Sequence, residues 1–284
     1  MNIQSFFDTA NAYLYSRIIR KNKYFADNSH GKSVSEIIKF AEKKYDLYNI
    51  DIENHKRKYF NIKYEEYNFN PFYRRIKKSG SRVFLVYHHS NNEIPPEKAI
   101  FKISKYLDVN IGLIGGAFHT NKYIYMKKLR DINNFTGLIA SSAILMNDIA
   151  KVILKSGYEK VILAGTSLGG FVTIANFLYL DSKDTHISFY SGYNPYDVFL
   201  NGEYRYVLSE NAGESIKSEL SFEKDFAGAV NKSNIYFLNG KYDKYINYLK
   251  QTEYALNKIL VNKSHYFGIR SYKQIASFMK RFLD

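Results

Sequence analysis

The chain contains no cysteine. Disulfide bonds and thiolate metal sites are therefore excluded. It also contains no tryptophan and only four prolines among its 284 residues. No internal repeat or low-complexity tract occurs, and no window reaches the ~18 consecutive apolar residues of a transmembrane helix. The N-terminal stretch "MNIQSFFDTANAYLYSRIIRK" breaks its apolar runs with polar residues every few positions, so it lacks the apolar stretch of a secretory signal. The expectation is a soluble, cytoplasmic protein. Acidic residues are in the minority: 27 Asp and Glu stand against 41 Lys and Arg, a formal charge of +14. The basic residues are spread along the chain rather than gathered in one block, which argues against a nucleic-acid partner. With Trp, Pro and Cys scarce and Lys, Asn, Ile and Tyr abundant, the excess is read as compositional. The alternative reading is an anionic or lipid-like substrate, or peripheral contact with a membrane surface.

What is present is a core-forming sequence, 45% hydrophobic and 17% aromatic. Its pattern changes near residue 80. Before that point the chain is charged and tyrosine-rich, and it is expected to form an extension, residues 1–80, packing on the domain that follows. Residues 3–20 read as an amphipathic helix, expected on the core rather than on a membrane. Residues 34–48 read as a second helix, 56–69 as one or two exposed strands, and 70–80 as a surface connection. From residue 82 a regular alternation begins. Strands are expected at 82–87, 109–116, 160–164, 186–192, 234–240 and 258–261. Helices are expected at 95–107, 136–157, 168–180, 245–257 and 272–283. The strands are apolar throughout, as in a sheet covered on both faces. Strands alternating with helices imply a mainly parallel twisted sheet flanked by helices, an α/β fold. In such sheets the reactive residues sit in loops at the carboxyl ends of the strands.

Those loops carry a consistent chemistry. After 160–164 comes "GTSLGG", with Ser167 flanked by Gly165 and Gly169. A serine hydroxyl is a weak nucleophile and needs a general base, itself held by an acid. A sharp turn between strand and helix would expose Ser167. It requires small neighbours, and the helix that follows points its N–H groups at the site. Asp243 follows the strand at 234–240 and His265 the strand at 258–261. The chain order is Ser, Asp, His, that of a Gly-x-Ser-x-Gly nucleophile elbow. Asp197, after the preceding strand, competes with Asp243 for the acid.

These stretches give residues 82–284 a resemblance to the α/β-hydrolase superfamily. "GYEKVILAGTSLGGF" resembles its helix–strand–elbow–helix core, "FLNGKYDKY" its strand leading to the acid, and "NKSHY" its terminal histidine loop. The resemblance implies Ser167 as nucleophile, His265 as base and Asp243 as the acid. It implies an oxyanion hole from the N–H of Leu168 and from the loop after 82–87, where Ser90 and His89 are the candidates. In many members that loop reads His-Gly-x, whereas here it reads His88-His89-Ser90. His88, His119 and Tyr193, also in strand-end loops, are candidate substrate contacts. No metal and no cofactor is expected. A catalytic domain of residues 81–284 would carry a lid at about 193–233, and 117–136 would help form the mouth. The implied activity is hydrolysis of a carboxylic ester or thioester of a small-molecule acyl substrate through an acyl-enzyme. Acyl transfer to another acceptor, peptide or C–C cleavage, and a non-catalytic binding protein on the same scaffold are the alternatives.

Overall fold

The computed structural model describes residues 2–18, 23–91, 93, 95–119, 121–180, 182–229 and 232–283. An eight-stranded sheet runs through it: β1 (Lys58–Tyr59), β2 (Phe72–Lys77), β3 (Val83–His88), β4 (Asn110–Gly115), β5 (Lys160–Thr166), β6 (Thr185–Phe189), β7 (Ile235–Gly240) and β8 (Asn257–Val261). The spatial order is β1-β2-β4-β3-β5-β6-β7-β8. β2 is antiparallel to both of its neighbours, and every other neighbouring pair is parallel. A smaller three-stranded sheet joins Glu42–Lys43, Ile62–Tyr64 and Tyr67–Phe69.

Seven helices matter for the site: α1 (Ile3–Ile18), α2 (Val34–Phe40), α3 (Lys98–Ile103), α4 (Lys122–Lys128), α5 (Ile132–Lys155), α6 (Leu168–Tyr179) and α7 (Pro195–Leu200). Alternate strand residues bury on opposite faces. Phe84, Val86, Val161 and Leu163 pack with α5 and α6, whereas Leu85, Tyr87, Ile162 and Ala164 pack with α3 and the closing helix Tyr272–Met279. This is why the strands read as continuous apolar runs. α5 is long and apolar enough to cross a membrane by length and composition, but most of it is buried inside this fold.

The first eighty residues depart from the sequence reading. Residues 70–80, expected as a surface connection, contain β2, which lies inside the sheet. The charges that suggested a loop are neutralised there. Arg75 is 1% exposed, donates from Nη2 to Asn110 Oδ1 at 2.6 Å, and lies over the Phe84 ring. Arg57 makes a bidentate pair with the buried Glu97 at 2.6 and 2.8 Å, which Arg74 joins at 3.2 Å. The helix expected over 34–48 stops at Phe40, and Ala41 turns extended at φ −66° and ψ 138°. Beyond it, Lys43 and Tyr45 turn to the buried Asp148 of α5, with the Tyr45 hydroxyl donating at 2.8 Å. The helix expected over 245–257 is one turn, Tyr248–Gln251. That expected over 3–20 is α1, with residues 19 and 20 outside the described residues.

The Tyr45–Asp148 bond ties this segment to the longest helix. Tyr45→Phe removes one hydrogen bond to a buried carboxylate while keeping the ring, and should lower unfolding free energy by about 1.5 to 3 kcal/mol. Urea denaturation of the two proteins checks this.

Candidate active site

The sheet order reverses direction at β3 and β5, which are parallel neighbours with His88 in register with Gly165. The loops after these two strands therefore leave side by side, at the crevice where sheets of this class place ligands. β5 runs into Ser167, whose backbone sits at φ 56° and ψ −112°, a strained conformation for a residue with a side chain. Ser167 N donates to Phe189 O at 2.8 Å, fixing the turn to β6. The neighbouring glycines leave no room for a side chain. A Cβ on Gly165 would sit 2.0 Å from the Gly169 carbonyl oxygen, and one on Gly169 would sit 2.3 Å from that of His88. On Gly170 it would meet the Ser191 side chain at 2.4 Å.

Three side chains form one hydrogen-bonded relay here. Ser167 Oγ lies 3.1 Å from His265 Nε2, and His265 Nδ1 lies 2.7 Å from Asp243 Oδ2. Asp243 Oδ1 in turn accepts from Tyr245 N and Ile246 N, both at 2.8 Å. Asp243 comes from the loop after β7 and His265 from the loop after β8, so neighbouring strands deliver the pair. Asp197 is occupied elsewhere: it accepts from Asn201 Nδ2 at 2.6 Å and lies 3.6 Å from Lys250. Burial by itself would lower the His265 pKa. The Asp243 charge and hydrogen bond, with the nearby Asp8, outweigh it and hold the ring above the ordinary value of 6.5.

The loop after β3 crosses the start of α6. Leu168 opens that helix, so its N–H belongs to the first turn, which has no intrahelical acceptor. Ser90 lines the same cavity as Ser167. His89 does not reach it through its ring: Nδ1 bonds Ser90 O at 2.7 Å, and Nε2 accepts from Gly116 N at 3.2 Å. His88 and His119 are likewise turned away. His88 Nδ1 bonds His89 O at 2.9 Å and His119 Nε2 bonds Asn91 O at 3.0 Å; in this buried cluster the His88 and His89 rings stack and His119 meets His89 edge-on. Burial pushes His88 down to about 3 and His119 down to about 4, and lowers His89 well below 6.5, so all three are neutral. His89 of this cluster stands at the position where a glycine was expected. Tyr193 is also absent from the cavity wall. It stacks on Phe226, and its hydroxyl accepts from Glu253 N at 3.1 Å.

Ser167 and His265 open onto a cavity of about 300 Å³. Its wall mixes the charged side chains of Glu93, Lys98, Lys122, Glu203 and Arg270 with apolar and aromatic ones such as Ala12, Tyr15, Val207 and Ile269. Burial raises the Glu93 carboxyl to about 7. A second, apolar recess of about 20 Å³ lies against Ser167, walled by Phe135, Leu168, Phe171, Val198, Phe199 and Ile246. The sequence reading missed several wall residues. Asn11, Ala12 and Tyr15 come from α1, far away in the chain, and carry no motif. Glu93 and Lys98 stand just beyond the 88–91 loop, where their proximity was a usable signal.

The strand order, the single reversed strand and the serine turn at the switch point together decide the architecture. The fold is that of the α/β-hydrolases. An esterase of Pyrobaculum calidifontis superposes with a TM-score of 0.50 at 13% identity, over 88% of this chain and 89% of its own. A bacterial heroin esterase does so at 0.50 and 10% identity, over 84% and 87%. At such identities the likeness is one of fold. No protein-family model and no curated protein matches the chain by sequence. Within the α/β-hydrolase fold the relay occupies the strand-end loops 167, 243 and 265 at the switch-point side of the sheet.

The electrostatics of the site give a direct check. By NMR, the His265 imidazole should titrate above pH 6.5. His88, His89 and His119 should show no protonation down to about pH 5, because burial disfavours the imidazolium charge.

Proposed function

We propose that the chain is a serine hydrolase cleaving carboxylic esters or thioesters of short acyl groups. The observation that carries this reading is the Ser167–His265–Asp243 relay opening onto the cavity. His265 Nε2 takes the Ser167 proton as Oγ attacks the carbonyl carbon. The Leu168 N–H and the Ser90 side of the loop stabilise the oxyanion that forms. Collapse of that intermediate breaks the bond to the leaving group, which takes the proton from His265. Water, deprotonated by His265, then attacks the acyl-serine and releases the acid. Asp243 stays a carboxylate, holding the ring tautomer and stabilising the imidazolium.

The two recesses divide the substrate. The apolar one is about 20 Å³, close to the room of one or two small groups, and suits an acetyl-sized acyl chain. The larger one, with charged side chains on part of its wall, suits a leaving group with a polar portion. In this reading residues 193–233 act as the lid, since Val198 and Phe199 close the acyl side while Glu203, Tyr204 and Val207 wall the other.

The wild type should hydrolyse p-nitrophenyl acetate with kcat/KM at least about tenfold above that for the octanoate. Ser167→Ala should lower kcat by about 10³-fold or more, and unchanged turnover would exclude the mechanism. Phe199→Ala should open the acyl recess and narrow the gap between acetate and octanoate in the same assay.

A further inference from the structure

The first helix carries a polar stripe, Gln4, Ser5, Asp8 and Thr9, turned towards the loops that hold Asp243 and His265. Ser5 Oγ donates to Tyr242 O at 3.0 Å, and Gln4 Oε1 accepts from Ser264 N at 3.1 Å. Thr9 Oγ1 donates to Glu203 Oε1 at 3.1 Å. Asp8 is 0% exposed, and its carboxyl group collects four donors. Oδ1 accepts from Ser264 Oγ at 2.9 Å and Tyr266 N at 3.0 Å. Oδ2 accepts from His265 N at 2.9 Å and Lys244 N at 3.3 Å. The Asp8 backbone oxygen accepts from the Tyr245 hydroxyl at 3.2 Å. A group whose every neighbour donates is an acceptor-only carboxylate.

The two loops rise from separate strands. Their bases are joined directly, Tyr242 N donating to Lys263 O at 3.0 Å. Their tips meet through Asp8, with Lys244 on one side and Ser264, His265 and Tyr266 on the other. The short turn His265–Gly268 has no side-chain cap of its own, because the Ser264 hydroxyl is spent on Asp8. Its first two N–H groups, which a helix leaves without internal partners, are closed instead by Asp8.

We propose that Asp8 is a positioning residue for the Ser167–His265–Asp243 relay, which makes α1 part of the active site. The inference rests on that relay being the catalytic one. Asp8 sets the backbone from which the His265 ring projects, and it fixes that backbone relative to the loop of Asp243. Misplacement of a base by a fraction of the Oγ–Nε2 distance is costly, since proton transfer demands hydrogen-bond contact. Asp8 also acts by charge. Beside Ser167, the titratable groups facing His265 among the described residues are Asp243 and Tyr245 from one loop, Tyr190 after β6, and Asp8 from α1. Glu203 and Tyr204 of the 203–206 turn stand beyond Tyr245. The negative charge of Asp8 favours the imidazolium, so removing it lowers the His265 pKa and moves the acid limb of activity to lower pH.

Asp8→Asn keeps the size and turns an amide NH2 towards two donors. It should lower kcat for p-nitrophenyl acetate by about 10- to 100-fold while KM changes less than about threefold. The His265 titration by NMR and the acid limb of kcat/KM should both move to lower pH. If this variant does not fold, Ser264→Ala, which keeps the charge, should lower kcat several-fold and leave the titration in place. Wild-type kcat together with wild-type His265 titration in Asp8→Asn would overturn the inference, as would wild-type kcat in Ser264→Ala. A wild type that hydrolyses no ester would overturn the catalytic reading itself, and the His265 titration would still report whether Asp8 acts on that ring.

Discussion

The backbone of Ser167 is the constraint on which the site depends. At φ 56° it holds a side chain in a region that costs about 1 to 3 kcal/mol. Nothing local makes that conformation favourable. It persists because β6 receives its N–H and because α6 begins at once behind it, pressed against the carbonyls of the loop after β3. Gly165 and Gly169 are the counterpart of that compression. The same closeness that forbids them a side chain brings the first N–H groups of α6 and the loop carrying Ser90 around one point in space. A serine on a relaxed turn would point along the surface and meet no histidine.

Charge at the site is governed by burial and by who shares it. His88, His89 and His119 are buried together with backbone carbonyls and one another for company, so they stay neutral and serve as packing. His265 is also buried, though it borders the cavity, and it faces Asp243 and Asp8, so its pKa moves the other way. Identical side chains at strand ends thus differ in which way their pKa moves, according to whether a carboxylate is within reach. That division also explains how the protein manages with His89 where a glycine was expected. Its ring is folded back onto Gly116 N and leaves the cavity side of the loop to Ser90.

Much of the sheet was legible because its strands carry an unbroken apolar signature, and the relay was legible because its members follow three of those strands directly. β2 was not, since "FYRRIK" reads as a charged surface segment until Arg75 is seen on Phe84 and Asn110, and Arg74 on Glu97. The end of α2 was hidden for a similar reason. "EKKYDLY" continues a helical pattern, and only the distant Asp148 gives Lys43 and Tyr45 cause to leave it. Tyr193 and His119 were misplaced because position in a strand-end loop says nothing of which way a side chain turns.

The sequence by itself determined the alternation of strands and helices, the glycine-flanked serine, and the order of Ser167, Asp243 and His265. These are local or near-local properties, set by apolar periodicity and by the steric demands of one tight turn. Tertiary structure alone decided what surrounds them: that Asp8 of the first helix closes the His265 turn, that a small apolar recess forms between Phe135 and Phe199, and that three neighbouring histidines stay neutral. Those outcomes depend on contacts between segments up to 258 residues apart in the chain. No periodicity or spacing encodes them, because the energy that selects them comes from burial and donor–acceptor pairing formed only when the sheet is complete.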